Sequence, residues 1–179
     1  ALPISDLHPF IGYNYRISEL HAAVGLAQIR KLPQFLALQR SNHAALKAHL
    51  EKIPGIQFRR VPEGGEDSCS FISWFLPTAE QTQAAVEEMR SQGILAGNFY
   101  WYNNNWHYIR KWDHLKHAGA LYRLSAEQTH ALQQLANQDF ASSDALMSRC
   151  VSTAVSLVWS PEQIKEKGEK MAAAILKVL

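Results

Sequence analysis

The sequence predicts an α/β fold: a small, mostly antiparallel sheet covered by helices and preceded by long linking helices. Three observations lead there. Residues 18 to about 52 keep helical spacing of apolar positions, with no strand signal. After Pro54-Gly55 the period changes, and short β-rich runs alternate with helical ones. The helical runs open on residues suited to capping, so their starts can be placed. Strands mixed with helices in this order give a sheet with helices on one face.

The elements follow in order. Residues 1–11 read as extended or irregular, because Pro3 and Pro9 discourage helix. Ser18 caps a helix running to about Lys31, with Leu20, Ala23, Val24, Leu26 and Ala27 predicting a broad buried face. Pro33 suits the first turn of a second helix, which Leu36, Leu46 and Leu50 carry to about Lys52. Residues 56–61 are a first strand candidate, 62–67 a turn, and Ser70–Leu76 a more apolar, buried strand. Thr78 with Gln81 forms a capping-box signature for a helix to about Gln92, which Gly93 stops. A third strand is expected to start at Ile94-Leu95-Ala96. Ile109, Trp112 and Leu115 mark a short helix. Ser125 with Gln128 caps another, and Ser142-Ser143-Asp144 is expected to cap a further short turn. Val151–Val158 is β-rich. Ser160-Pro161-Glu162-Gln163 then starts a last amphipathic helix through Ile164, Gly168, Met171, Ile175 and Val178.

Composition narrows the function. With 47% hydrophobic residues, the 179-residue chain can bury one good core. Its net charge is only +2 and its 18 Lys and Arg are dispersed, which argues against a nucleic-acid partner. No apolar run reaches the roughly 20 residues needed to span a membrane, so no membrane association is expected. Cys69 and Cys150 lie far apart without C-x-x-C spacing; a reduced, cytoplasmic location is the simplest account, and one disulfide is the alternative.

The stretch around which the chain is organised is Gly12-Tyr13-Asn14-Tyr15-Arg16-Ile17-Ser18-Glu19-Leu20. Gly12 allows a sharp bend. Asn14 and Arg16 then fall on a short connector before a capped helix, a platform for an amide donor and a guanidinium fork suited to phosphate or carboxylate. The plainer reading is a turn into a surface helix, with the tyrosines packed and Arg16 solvated. The longer segment GYNYRISELHAAVGLAQIRKL, Gly12 to Leu32, resembles the G-x-N-Y-R-x-S/T-E/D-L segment of the DegT/StrS sugar aminotransferases.

That family consists of pyridoxal 5'-phosphate enzymes of fold type I. The resemblance implies that residues 1–53 hold the end of a large domain and linking helices, and that 54–179 form the C-terminal small domain. It implies a homodimer in which Asn14 reaches the cofactor phosphate of the neighbouring subunit, with Arg16 on the substrate side of the same site. The Schiff-base lysine is expected upstream, so no catalytic residue is assigned in this chain, and the chain is expected to be the C-terminal portion of a longer enzyme. The apolar faces of the first helices are expected to pack on the rest of that enzyme.

The second unusual stretch is Gly97-Asn98-Phe99-Tyr100-Trp101-Tyr102-Asn103-Asn104-Asn105-Trp106-His107-Tyr108. Aromatic rings cover the apolar faces of sugars, while Asn and His pair with hydroxyls. Trp101, Asn105, Trp106 and His107 are therefore the candidate substrate-binding residues; the plainer reading is an aromatic cluster closing the small domain. The pattern continuing through Asp113-His114-Leu115 resembles one branch of the family, transaminases that make 8-amino-3,8-dideoxy-manno-octulosonate, an amino form of the lipopolysaccharide sugar Kdo. The uncharged stretch, with Arg110 and Lys111 just beyond, suits a free acidic sugar. Arg149 is either an anion contact or surface charge. His114 and His117 have i,i+3 spacing beside Asp113 but no third ligand at convincing spacing, so no metal site is assigned.

The resemblance thus implies amino transfer from glutamate to a keto- or aldehydo-sugar, with 8-oxo-Kdo as acceptor. The alternatives are a nucleotide-sugar aminotransferase of the same family, a non-catalytic carbohydrate-binding or oligomerisation module, and a regulator built on an aminotransferase-like domain.

Overall fold

The computed structural model describes residues 17–94, 98–104, 107–119 and 123–179. The chain divides into two compact units, Ala1–Phe35 and Leu36–Leu179.

The described part of the first unit holds helix α1 (Glu19–Ile29) and the first turn of α2 (Leu32–Leu50). Ser18 caps α1 as expected: its side chain accepts a hydrogen bond from the His21 amide, and Glu19 sits at the positive helix end. The expected buried face is a correction. No residue of α1 is buried; Leu20 is 81% exposed and Val24 63%. The stripe has the composition of a packed face and no described partner within its own unit.

The second unit contains the rest of α2, strands β1 (Gln57–Phe58), β2 (Phe71–Phe75), β3 (Asn98–Tyr100) and β4 (Cys150–Ala154), and helices α3 (Ala79–Ser91), α4 (Asp113–Lys116), α5 (Ala126–Ala136), α6 (Ala141–Met147) and α7 (Pro161–Leu176). The sheet order is β1-β2-β4-β3, and every pairing among the described residues is antiparallel. The mixed α/β class and the small antiparallel sheet are those the sequence predicts.

Period-two alternation decides which face of the sheet is covered. Ile72, Trp74 and Leu76 point to one side together with Val151 and Val155, beneath Leu46 and Leu50 of α2, Ala85, Val86 and Met89 of α3, and Ile164, Met171, Ala174 and Ile175 of α7. Trp74 is fully buried, and its indole Nε1 donates a 3.0 Å hydrogen bond to Thr153 Oγ1, which in turn donates to Asn98 Oδ1. Truncating Trp74 to Ala would cost about 3–5 kcal/mol. The opposite face carries Phe71 and Ser73 of β2, paired with Ala154 and Ser152 of β4, and Phe99 of β3 beside Ser152. This face is only partly covered: Phe71 is 45% exposed and Phe99 38%.

The capping expectations divide. Ser125 with Gln128, and Ser160 with Gln163, form complete capping boxes, the latter with Pro161 in the first turn. At α3, Thr78 accepts from the Gln81 amide, but Gln81 Oε1 is buried without a hydrogen-bond partner, so the reciprocal arm is not made. Ser142-Ser143-Asp144 lie inside α6 and do not cap it; Asp139 Oδ1 accepts from the Ala141 amide there. The third strand is Asn98–Tyr100, with Ile94 preceding it outside any regular element; Leu95 and Ala96 lie outside the described residues. Gly55 and Gly93 hold positive φ of 76° and 70°, which explains glycine at the stops of α2 and α3.

Candidate functional site in the open face of the sheet

The partly covered sheet face is the floor of a groove of about 450 Å³, within the range of small-molecule sites. Phe71, Ser73, Phe99 and Ser152 line its floor; Trp101, Asn104 and His107 line one side, and Arg59, Asp67, Ser68 and Ser70 the other. Its parts come from β2, β3, β4 and two connections, so it exists only in the folded sheet.

The aromatic side is held from below. After β3, residues Trp101–Asn103 form a single 3-10 turn that brings the Trp101 indole back over β4. Trp101 Nε1 donates to Ser152 Oγ at 2.8 Å, and Ser152 Oγ lies 2.7 Å from Ser73 Oγ. The His107 ring meets the Trp101 ring edge-on at 5.7 Å, and the His107 amide donates to Asn104 Oδ1 at 3.1 Å. Phe71 and Phe99 also meet edge-on, at 6.1 Å. An apolar wall with hydroxyl, amide and imidazole groups set into it suits a ligand with both C–H faces and hydroxyls.

The charged side is held equally firmly. The Arg59 amide donates to the Ser73 carbonyl at 3.1 Å, extending the pairing of β1 with β2. Asp67 accepts from the Cys69 amide at 3.0 Å through Oδ1 and from the Arg59 guanidinium through Oδ2. Cys69 has a positive φ of 60°, unusual for a residue with a side chain, and its carbonyl accepts a 3.0 Å hydrogen bond from Gln39 Nε2. The same Gln39 Nε2 donates to the Val155 carbonyl at 2.7 Å, tying the Asp67–Cys69 turn to the end of β4. His43 lies close by, and burial, the largest cause, holds its pKa below the usual histidine value.

Of the residues singled out in the sequence, Trp101 and His107 come together in this groove. Asn14, Arg16, Asn105 and Trp106 lie outside the described residues. Arg110 and Lys111 do not supply the groove's cation. Arg110 is paired with Asp144, at 2.8 Å from its Nε, and lies over the Phe140 ring, while Lys111 sits over Tyr102. Arg149 donates to the Ala145 carbonyl at 3.2 Å and is absent from the groove lining. Arg59, Asp67, Ser73, Asn104 and Ser152 were not anticipated. The two serines carried a usable signal, being small hydroxyl residues at alternate positions of otherwise apolar strands. Arg59 and Asp67 carried none, since only the fold brings them to the groove.

Neither cysteine is in a disulfide; burial pushes the Cys150 thiol up to about 12. Among the described residues no three His, Cys, Asp or Glu side chains gather as a metal site, and no helix is long and apolar enough to cross a membrane.

The chain is similar to known proteins in sequence and in fold. Residues 4–126, more than half of the chain, match the model of the DegT/DnrJ/EryC1/StrS aminotransferase family. The lipopolysaccharide biosynthesis protein RfbH of Salmonella typhimurium is 35% identical over 65 residues, covering 36% of this chain and 14% of that protein. The GDP-4-keto-6-deoxy-D-mannose 3-dehydratase of Yersinia pseudotuberculosis is 29% identical over 111 residues, covering 54% and 26%. The chain thus spans about a quarter or less of the length of these curated relatives. The crystal structure of 3-amino-5-hydroxybenzoic acid synthase superposes on 96% of this chain and 42% of its own, with a TM-score of 0.58 at 19% identity, which shows a shared fold. Because the family model matches more than half of its length, the chain belongs to the DegT/DnrJ/EryC1/StrS aminotransferase family.

Proposed function

We propose that this chain is the C-terminal portion of a pyridoxal-phosphate-dependent sugar aminotransferase, and that the groove over the open sheet face receives the sugar. The reaction is amino transfer from glutamate to a keto- or aldehydo-sugar, with 8-oxo-Kdo as acceptor, in a cytoplasmic homodimer serving lipopolysaccharide synthesis. The observation that carries this reading is the Trp101–Ser152–Ser73 hydrogen-bonded chain beneath an aromatic wall. Membership of an aminotransferase family supports the reaction type. A relative named for lipopolysaccharide biosynthesis supports the biological setting.

Each groove residue then has a part. Trp101 and Phe99 cover the C–H face of the ring and exclude water from it. Ser73, Asn104 and His107 orient hydroxyls, and Ser152 fixes the indole. The described lining contains no lysine, so this groove is not an anchor for a Schiff base and its residues bind and orient the sugar. Pyridoxal phosphate, where bound, supplies the carbonyl that takes up the donor's amino group. Asn14 would hold the phosphate of the neighbouring subunit's cofactor, and Arg16, Asn105 and Trp106 would complete the substrate side.

A second reading has its own support: the Yersinia relative is named for a nucleotide-linked sugar and for a dehydration. An absorbance spectrum of the complete natural protein, with and without glutamate, tests the first. A band near the visible edge that shifts with glutamate is expected. A protein that stays colourless after incubation with pyridoxal phosphate would overturn it. If the band is present, turnover of a nucleotide-linked sugar but not of 8-oxo-Kdo would favour the second reading.

A further inference from the structure

We infer that Arg59 determines specificity for an acidic sugar: its guanidinium receives the sugar's carboxylate at the end of the groove opposite Trp101 and His107. This rests on the reading of the groove as the sugar site and adds the direction in which the sugar lies.

Arg59 is the one permanent cation among the described lining residues, and Asp67 is the one carboxylate. Asp67 does not merely neutralise it. One carboxylate oxygen is held by the Cys69 amide and the other takes the Arg59 terminal nitrogen Nη2. The Arg59 main chain is fixed to Ser73, and the Cys69 turn is fixed by Gln39. The guanidinium is therefore positioned from both ends, while its side chain stays 52% exposed. A guanidinium carries five donors on a planar fork, and the pairing with Asp67 engages Nη2, leaving donors for a second carboxylate.

The surroundings favour an anion. A small cavity of about 80 Å³ adjoins the groove through Arg59, Asp67, Phe71 and Ser73, and is also lined by His43 and Lys47. Lys47 pairs with Glu51 at 3.0 Å while lying over the Phe58 ring. Lys47 thus places a second cation beside Arg59 on the side away from the aromatic wall, while His43, its pKa held down by burial, adds no charge at neutral pH. One guanidinium with a resident carboxylate matches a monoanion; a diphosphate would call for more cationic donors than this lining offers. A carboxylate on Arg59 directs the rest of the sugar across Ser73 and Ser152 to Trp101, Asn104 and His107.

Calorimetric titration of the complete holoenzyme tests this, with Kdo, the methyl ester of Kdo and glutamate as three separate probes. Wild type is expected to bind Kdo more tightly than the ester. Arg59→Gln should weaken Kdo about 10- to 100-fold, the effect of losing a charge-assisted hydrogen bond, while leaving the ester and glutamate unchanged. Asp67→Asn removes a like charge and should tighten Kdo several-fold. A merely structural role for the pair would instead weaken every sugar in both variants. Equal binding of Kdo and its ester by wild type would overturn the Arg59 assignment alone. Loss of glutamate but not Kdo in Arg59→Gln would overturn it in favour of the amino donor. Failure of wild type to bind either sugar would overturn the groove reading and the assignment together.

Discussion

Trp101 Nε1 donates a 2.8 Å hydrogen bond to Ser152 Oγ, joining the first turn after β3 to the middle of β4. Ser152 is 2% exposed and also meets Ser73 Oγ at 2.7 Å, so one hydroxyl serves two strands and the indole. Ser152→Ala leaves the indole N–H without its acceptor and Ser73 without its cross-strand partner. The expected cost is about 1–2 kcal/mol, seen as a lower urea midpoint at unchanged slope. Sugar affinity should fall as well, because Trp101 is no longer fixed. An unchanged midpoint would show that water replaces the serine without loss.

This relationship marks what the sequence could and could not reveal. Trp101 and His107 were legible as candidate site residues because their stretch sets aromatics beside asparagines, and the structure brings the two to one groove. The element order was legible because helical spacing, capping residues and β-rich runs are local. Ser152 and Ser73 are 79 positions apart, and only the antiparallel register of β2 with β4 puts them opposite one another. Arg59 was hidden for the same reason: its role depends on Asp67, whose turn is held by Gln39 from another helix. The exposed stripe of α1 was misread because periodicity reports an apolar face and not what covers it.

Stability should respond to pH through His43. Burial, then Lys47 and Arg59, lower its pKa from 6.5, while Asp67 and a hydrogen bond with the Phe71 backbone oppose them. The folded chain therefore binds this proton less readily than the unfolded chain. Above pH 6.5 both states carry neutral histidine and the contribution is fully present. As pH falls below 6.5 the unfolded state takes the proton first, and stability is lost down to the folded pKa. His43→Gln should show a shallower loss than wild type between pH 7 and 5.5 in urea titrations. Carboxylate effects are common to both proteins and cancel in the difference. Parallel profiles would remove His43 as a contributor.

Helix α7 packs on α2 where Gly168 faces His49. A Cβ at Gly168 would lie 2.6 Å from Cγ and Cδ2 of His49 and 2.9 Å from its Cβ. Two effects of Gly168→Ala oppose each other. Alanine favours the helix over glycine by about 1 kcal/mol. Overpacking costs about 1–3 kcal/mol, and the His49 Cβ cannot move without its backbone, so relief by ring rotation is incomplete. The clash should win, with net destabilisation of about 1 kcal/mol. His49→Ala removes the ring, so in that background Gly168→Ala should become neutral or stabilising. Urea unfolding of the four proteins gives the coupling directly. The same destabilisation in both backgrounds would mean that α7 resists the added methyl for a reason other than His49.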